Sequence, residues 1–212
     1  MDIAIKEKFI SLWEKYFNSA DLPIVFFYTD DEETATKVDP PNGQRCIMAD
    51  IAQISKGESL LFGAESVACF GAKKSLGFPR EAMPYFEHFI SCGIPGKMEG
   101  ERYKKIPELV KQVVKASPLP TAPQPYAVFK RWDKLEEKDI PEVVIVFGTP
   151  DVISGLFTLA NYDEPDPNGV FSPWGAGCAS IVMFPYAERN ANRPRGVVGM
   201  FDVSARPFVP AN

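Results

Sequence analysis

Histidine is almost missing from this chain of 212 residues: His88 is the only one. A Ser/His/Asp or Cys/His mechanism would have to run through that single side chain. Cysteine is sparse as well. The four residues Cys46, Cys69, Cys92 and Cys178 include no Cys-x-x-Cys, so the common zinc and thioredoxin spacings are absent. Long apolar runs are lacking, since Leu22 to Tyr28 and Val143 to Phe147 fall well short of the roughly 18 residues needed to cross a bilayer. Charges at Lys6, Glu7, Lys8, Glu14 and Lys15 break up the N-terminus, where a secretory signal needs a continuous apolar stretch. There is no basic excess: 23 Lys and Arg against 28 Asp and Glu give a net charge of −5, with no concentrated basic stripe. That balance argues against generic nucleic-acid binding. These absences lead to the expectation of a cytoplasmic protein with reduced thiols, no membrane and no nucleic-acid partner.

Proline is abundant, with 20 residues, and it predicts short elements joined by rigid turns rather than a plain helical bundle. Hydrophobic residues at 45% and charged residues at 24% are globular values, and the length suits a single domain over 1–212. The apolar spacing predicts an amphipathic helix over 3–17, a buried strand over 24–28, a helix over 46–54 and a strand over 59–62. Helices are expected over 66–76, 80–91 and 106–116, followed by a proline-rich connector over 118–125. Strands are expected over 126–130 and 143–147, and Thr149-Pro150-Asp151 opens a helix to about residue 160. Apolar runs at 179–183 and 197–201 close the chain, the first readable as helix or strand. The fold class is therefore α+β, a mixed α/β arrangement.

The order of landmarks also permits an internal duplication of a strand-helix-strand-helix unit, in half-repeats 20–117 and 122–212. Pro23 to Asp30 lies on Pro125 to Asp133, Cys46 on Cys178, and Ser59 to Phe62 on Gly196 to Gly199. Pseudo-twofold halves would place Cys46 and Cys178 at equivalent helix starts facing a shared cleft, and clefts between halves are common ligand sites.

Three readings of the thiols stay open. They are buried structural residues, or ligands of a thiophilic metal or iron-sulfur cluster with Cys46, Cys69 and Cys178 as metal candidates, or reactive groups. In the last case Cys46 or Cys178 is the catalytic candidate, activated at a helix N-terminus, with Arg45 reinforcing the effect at Cys46. The stretch Trp174-Gly175-Ala176-Gly177-Cys178-Ala179-Ser180 is either a tight turn or a loop whose amides approach a small anionic ligand. It is not a dinucleotide fingerprint, because Ser180 replaces the third glycine. His88 reads as a structural histidine, so Glu65 or Asp202 would have to assist a thiol nucleophile. Glu164 to Gly169 resembles the start of a calcium loop but has Gly175 where a glutamate is required, and it reads as an acidic turn. Arg189, Arg193, Arg195 and Arg206 read as a solvated face or as anion contacts.

Arg45-Cys46 with Ala49, Ala68-Cys69-Phe70-Gly71-Ala72 with Leu76-Gly77, Gly175 to Ser180, and Gly199 to Pro207 carry a resemblance. From about residue 20 to the end, the chain resembles the uncharacterised prokaryotic family catalogued as domain of unknown function 169. The resemblance implies a shared αβ fold and picks out Cys46, Cys69, Cys178 and Arg206; it implies no activity. Family members often continue past the position of Asn212, so a shorter member or a truncated product is expected, its second repeat without the helices that follow Cys69 in the first. The ligand-contact candidates are Arg45, Cys46, Cys69, Gly175, Gly177, Cys178, Ser180 and Arg206. The leading expectation is a binding protein with a cysteine-lined cleft, followed by a thiol-dependent enzyme and by a structural or regulatory subunit.

Overall fold

A computed structural model describes residues 1–43 and 45–199. Chain packing divides it into a main unit, Met1–Pro79 with the chain from Pro120 onward, and a smaller unit, Arg80–Leu119.

The main unit is built on two central strands, β1 (Ile24–Thr29) and β4 (Tyr126–Arg131), paired antiparallel with Phe26 opposite Phe129. β1 from Ile24 to Tyr28 and β4 from Tyr126 to Phe129 are apolar runs because both sheet faces are covered. β2 (Thr36–Lys37) runs parallel to β3 (Ser59–Phe62), β3 pairs antiparallel with β4, and β5 (Val143–Ile145) pairs antiparallel with β1. The order is β2-β3-β4-β1-β5, so among the described residues β5 is an edge strand.

Side chains alternate across this sheet. Val25, Phe27, Leu61 and Val128 point to one face, where α1 (Ile3–Tyr16) lays Phe9 and Ile10 over them. Asp2 starts α1 by accepting the Ala4 N–H at 2.8 Å. Ile24, Phe26, Leu60, Phe62 and Phe129 point to the other face. There α2 (Ile47–Ile54) contributes Ile47, Ile51 and Ile54, α3 (Phe70–Ser75) contributes Ala72, and residues 181–186 contribute Ile181, Val182 and Tyr186. Each fully buried Phe, Leu or Ile is worth roughly 1.5–3 kcal/mol of transfer free energy, which makes this two-sided core the main source of stability.

One ion pair lies wholly inside. Lys130, on the α1 face of β4, is 2% exposed and bonds Asp139, 1% exposed, at 2.9 Å. The same Asp139 oxygen accepts the Glu136 N–H at 2.9 Å.

The rest of the main unit comprises α6 (Pro150–Ala160) and a small parallel sheet of β6 (Val170–Phe171) and β7 (Gly196–Val197). Between them, residues 177–188 form one helical stretch, with a π-helical turn at Ala179–Met183 leading into α7 (Phe184–Glu188). The ambiguous run at 179–183 is therefore helical. A π turn changes the angular spacing of side chains, and all five of its residues are buried.

In the smaller unit, α4 (Phe86–Ile90) and α5 (Pro107–Ala116) are neighbours, and Glu87 pairs with Lys111 at 3.4 Å. The helix expected over 80–91 is confined to α4. Pro84 disfavours helix in the residue before it, and Tyr85 enters through the left-handed region at φ 58°. The helix expected over 66–76 is also shorter, since a single 3₁₀ turn at Ala64–Ser66 and extended residues precede α3.

A duplication is not shown. β1 and β4 are antiparallel neighbours, as exchangeable halves require. With β3 beside β4, however, the counterpart assigned to 196–199 belongs beside β1, where β5 lies instead. Gly196 and Val197 pair with Val170 and Phe171 in the separate sheet. The expected strand over 197–201 extends beyond the described residues. Among the described residues, no helix is long and apolar enough to cross a membrane.

Candidate functional site

Beside β5 lies a cleft of about 470 Å³, inside the roughly 300–1,000 Å³ range of small-molecule sites. One wall is the chain from Glu142 to Phe147, the second is the helical stretch bearing Gly177, Ser180, Ile181 and Arg189, and the third is residues 194–197 with Gly199. Its interior is mixed, with Val146, Phe147, Ile181, Pro185 and Val197 beside the charged side chains of Glu142, Glu188, Arg189 and Arg195.

Ser180 differs from these paired charges. Its residue is 8% exposed, and its hydroxyl has no hydrogen-bond partner. The backbone of Gly199 lies over it, so close that a Cβ there would stand 2.6 Å from the Ser180 Oγ. A buried hydroxyl without a partner costs about 1–3 kcal/mol in a protein.

The charges of the cleft are mutually satisfied. Arg189 donates to Glu142 at 2.6 Å and to the Tyr186 hydroxyl at 2.7 Å, with its guanidinium 4.0 Å from the Tyr186 ring centre. The second Glu142 oxygen accepts the Tyr28 N–H at 3.0 Å. Arg195 bonds Glu188 through two nitrogens at 2.8 and 3.0 Å, and this holds the Glu188 carboxyl below its ordinary value. Burial pushes the hydroxyl pKa values of Tyr28 and Tyr186 up, so both stay neutral. Tyr28 donates to the Leu76 carbonyl at 2.8 Å behind the sheet.

The expected site residues divide among several places. Gly177 and Ser180 line the cleft. Gly175 packs against Phe184, whose ring would lie 2.9 Å from a Cβ at that position. Cys46 precedes α2, Cys69 precedes α3, and both pack with Cys178 against the core cluster rather than lining this cleft. Cys69 and Cys178 are brought together across α3: each sulfur lies 3.8 Å from the point where a Cβ on Gly71 would stand. The Ser75 hydroxyl is 3.4 Å from the Cys178 sulfur. The Arg45 guanidinium is bound to Asp50; burial raises the Asp50 carboxyl pKa while Arg45 opposes that shift. Among the described residues, no group of three or more His, Cys, Asp or Glu could hold a metal ion, so Cys46, Cys69 and Cys178 do not form the expected cluster.

Glu65 is exposed, with its carboxylate folded back over Gly63. His88 lies on α4 of the smaller unit, edge-on to Tyr85. Arg193 binds Glu164 at 2.7 Å and approaches Asp166 at 3.8 Å, which makes the calcium-like segment an acidic turn neutralised by arginine. Asp202 and Arg206 lie outside the described residues.

The expectations had no role for Glu142, Tyr186, Glu188 or the strand β5 as a cleft wall. The available signal was a carboxylate immediately before an apolar strand, together with the Tyr186, Glu188 and Arg189 grouping on one helix.

No curated protein and no solved structure matches the chain. Residues 15–212 match the family profile DUF169, described as uncharacterised ArCR, COG2043. That match covers most of the sequence, and the chain belongs to this uncharacterised family.

Proposed function

We propose that this protein binds a small, uncharged ligand of mixed polarity in the cleft beside β5, with the Ser180 hydroxyl as a polar contact that orients it. The supporting observation is the unpartnered, buried Ser180 hydroxyl on the wall of a cleft of ligand size. A ligand atom that moves Gly199 aside and bonds this hydroxyl removes a desolvation cost the unliganded protein carries. The arginines favour a neutral ligand over an anionic one. Arg189 and Arg195 already hold carboxylates, and an anion would have to displace Glu142 or Glu188.

The reading is tested by ligand-observed NMR with a library of uncharged fragments on three proteins: wild type, Ser180→Ala and Ser180→Leu. The leucine variant should fill the cleft and abolish fragment binding. The alanine variant should weaken fragments that carry a hydrogen-bond acceptor about fivefold or more, as loss of a hydrogen bond of about 1 kcal/mol implies. The alanine variant should also be as stable as wild type, or more so by up to about 1 kcal/mol, because it removes an unsatisfied group. Fragment binding that Ser180→Leu leaves intact would place the ligand elsewhere and overturn the proposal.

A further inference from the structure

The cleft has one wall made of main chain, and the direction of its hydrogen bonds can be read from the sheet. In an antiparallel ladder, alternate residues of a strand send both N–H and C=O to opposite neighbours. The Pro23 carbonyl accepts the Trp132 N–H at 2.8 Å, so odd-numbered residues at this end of the chain face β4. The Phe26 carbonyl accepts the Glu142 N–H at 2.9 Å, and the Tyr28 N–H donates to the Glu142 side chain at 3.0 Å, so even-numbered residues face β5. Val143 lies opposite Phe26 and Ile145 opposite Ile24, so both turn their peptide groups inward to β1. Val144, opposite Val25, therefore turns its N–H and C=O outward, away from the sheet. Among the described residues no strand lies beyond β5, and the Val144 side chain is 48% exposed on the opposite face from Val143 and Ile145.

Val144 lines the same cleft as Ser180. The cleft thus presents an outward N–H, an outward C=O and walls of mixed polarity, with the Ser180 hydroxyl reached once Gly199 moves aside, and its carboxylates and guanidiniums are already paired with each other. We infer that its ligand is an extended peptide segment with uncharged side chains, which adds as a strand to the open edge of β5 through the Val144 peptide groups and places a carbonyl against Ser180. This inference rests on the cleft being the binding site and names the class of ligand it takes. Strand addition draws its affinity from main-chain hydrogen bonds, and the walls supply side-chain selection. An edge strand leaves N–H and C=O groups unpaired, and these can template pairing with another chain unless something covers them.

The experiment uses the full chain and a displayed random heptapeptide library as the probe, with enriched sequences resynthesised and titrated by fluorescence anisotropy. Val144→Pro deletes the outward donor while leaving every bond to β1 in place, and proline is tolerated on edge strands for that reason. Val144→Ala controls for the side chain. Enriched peptides should lose about tenfold or more in affinity on going from Val144→Ala to Val144→Pro. If Val144→Pro does not fold, N-methylated analogues of an enriched peptide decide the matter. A strand-adding peptide tolerates the methyl group at alternate residues only, and uniform tolerance overturns the inference.

Failure to enrich any peptide, with uncharged fragments still binding in a Ser180-dependent way, overturns strand addition and leaves the small-ligand reading standing. Sedimentation of wild type as a dimer that Val144→Pro dissociates would identify a second copy as the occupant and also overturn it.

Discussion

Replacing Lys130 by methionine keeps the length and apolar stem of the side chain and removes its charge. Lys130 and Asp139 are 2% and 1% exposed and meet at 2.9 Å, so the variant leaves a carboxylate in the interior with only the Glu136 N–H to bond it. Breaking one side of a buried pair costs about 3–5 kcal/mol, a large share of the roughly 5–15 kcal/mol that holds a typical domain together. The companion double variant, Lys130→Met with Asp139→Leu, removes both charges. Well-packed apolar replacements of a whole buried pair are often neutral or stabilising, so the double should recover most of the loss, less about 1 kcal/mol for the orphaned Glu136 N–H. Urea unfolding followed by tryptophan fluorescence reads both, because Trp132 belongs to the same face of the sheet. A single variant within about 1 kcal/mol of wild type would refute the assignment of Lys130 to a water-free interior. A double variant no better than the single would refute the claim that an uncompensated charge causes the loss.

Two further outcomes follow from other parts of the main unit. Gly77 has φ +67°, and a Cβ there would stand 2.6 Å from the Ala122 backbone nitrogen. Gly77→Ala should therefore cost more than about 1 kcal/mol in urea unfolding, and Lys73→Ala nearby should cost much less. Arg131 bonds both oxygens of Asp133, at 2.7 and 2.9 Å, and holds that carboxyl below its ordinary value of 3.8. A depressed folded-state pKa means stability that is fully present above the ordinary value and lost as pH falls through the folded one. Unfolding measured between pH 6 and about 2 should show a shallower acid loss for Asp133→Asn than for wild type, and parallel curves would refute the linkage.

The central sheet could be read from sequence because β1 and β4 are buried on both faces, and that requires unbroken apolar runs such as Ile24 to Tyr28. α5 and α6 were equally readable, since Pro107 and Pro150 stand in their first turns. Local periodicity was a poorer guide where two signals competed. Over 80–91 the apolar spacing argued for a helix through Pro84, and the backbone restriction before proline prevailed. The π turn at Ala179–Met183 has no residue signature of its own, so the burial of five consecutive residues was not foreseeable. Ser180 was singled out through its glycine-rich neighbourhood, but Gly199 comes to lie over its unpartnered hydroxyl only in the folded chain. The other wall, from Glu142 onward, joins it only through the tertiary fold. The meeting of Cys69 and Cys178 over Gly71 is likewise a product of packing between α3 and the π turn.

The smaller unit leaves the main unit after Pro79 and its chain returns at Pro120. At that junction the Ala122 N–H donates to the Gly77 carbonyl at 3.0 Å, so the outgoing and returning strands of chain are fastened together within the main unit. The excursion between them is in effect a closed loop whose ends are already held at bonding distance. Closing a loop costs entropy that grows only with the logarithm of its length, about 0.6 kcal/mol for each doubling. A change in the length of residues 80–119 therefore carries only a small closure-entropy cost. The seam at Gly77 and Ala122 thus sets the span that any such segment has to bridge.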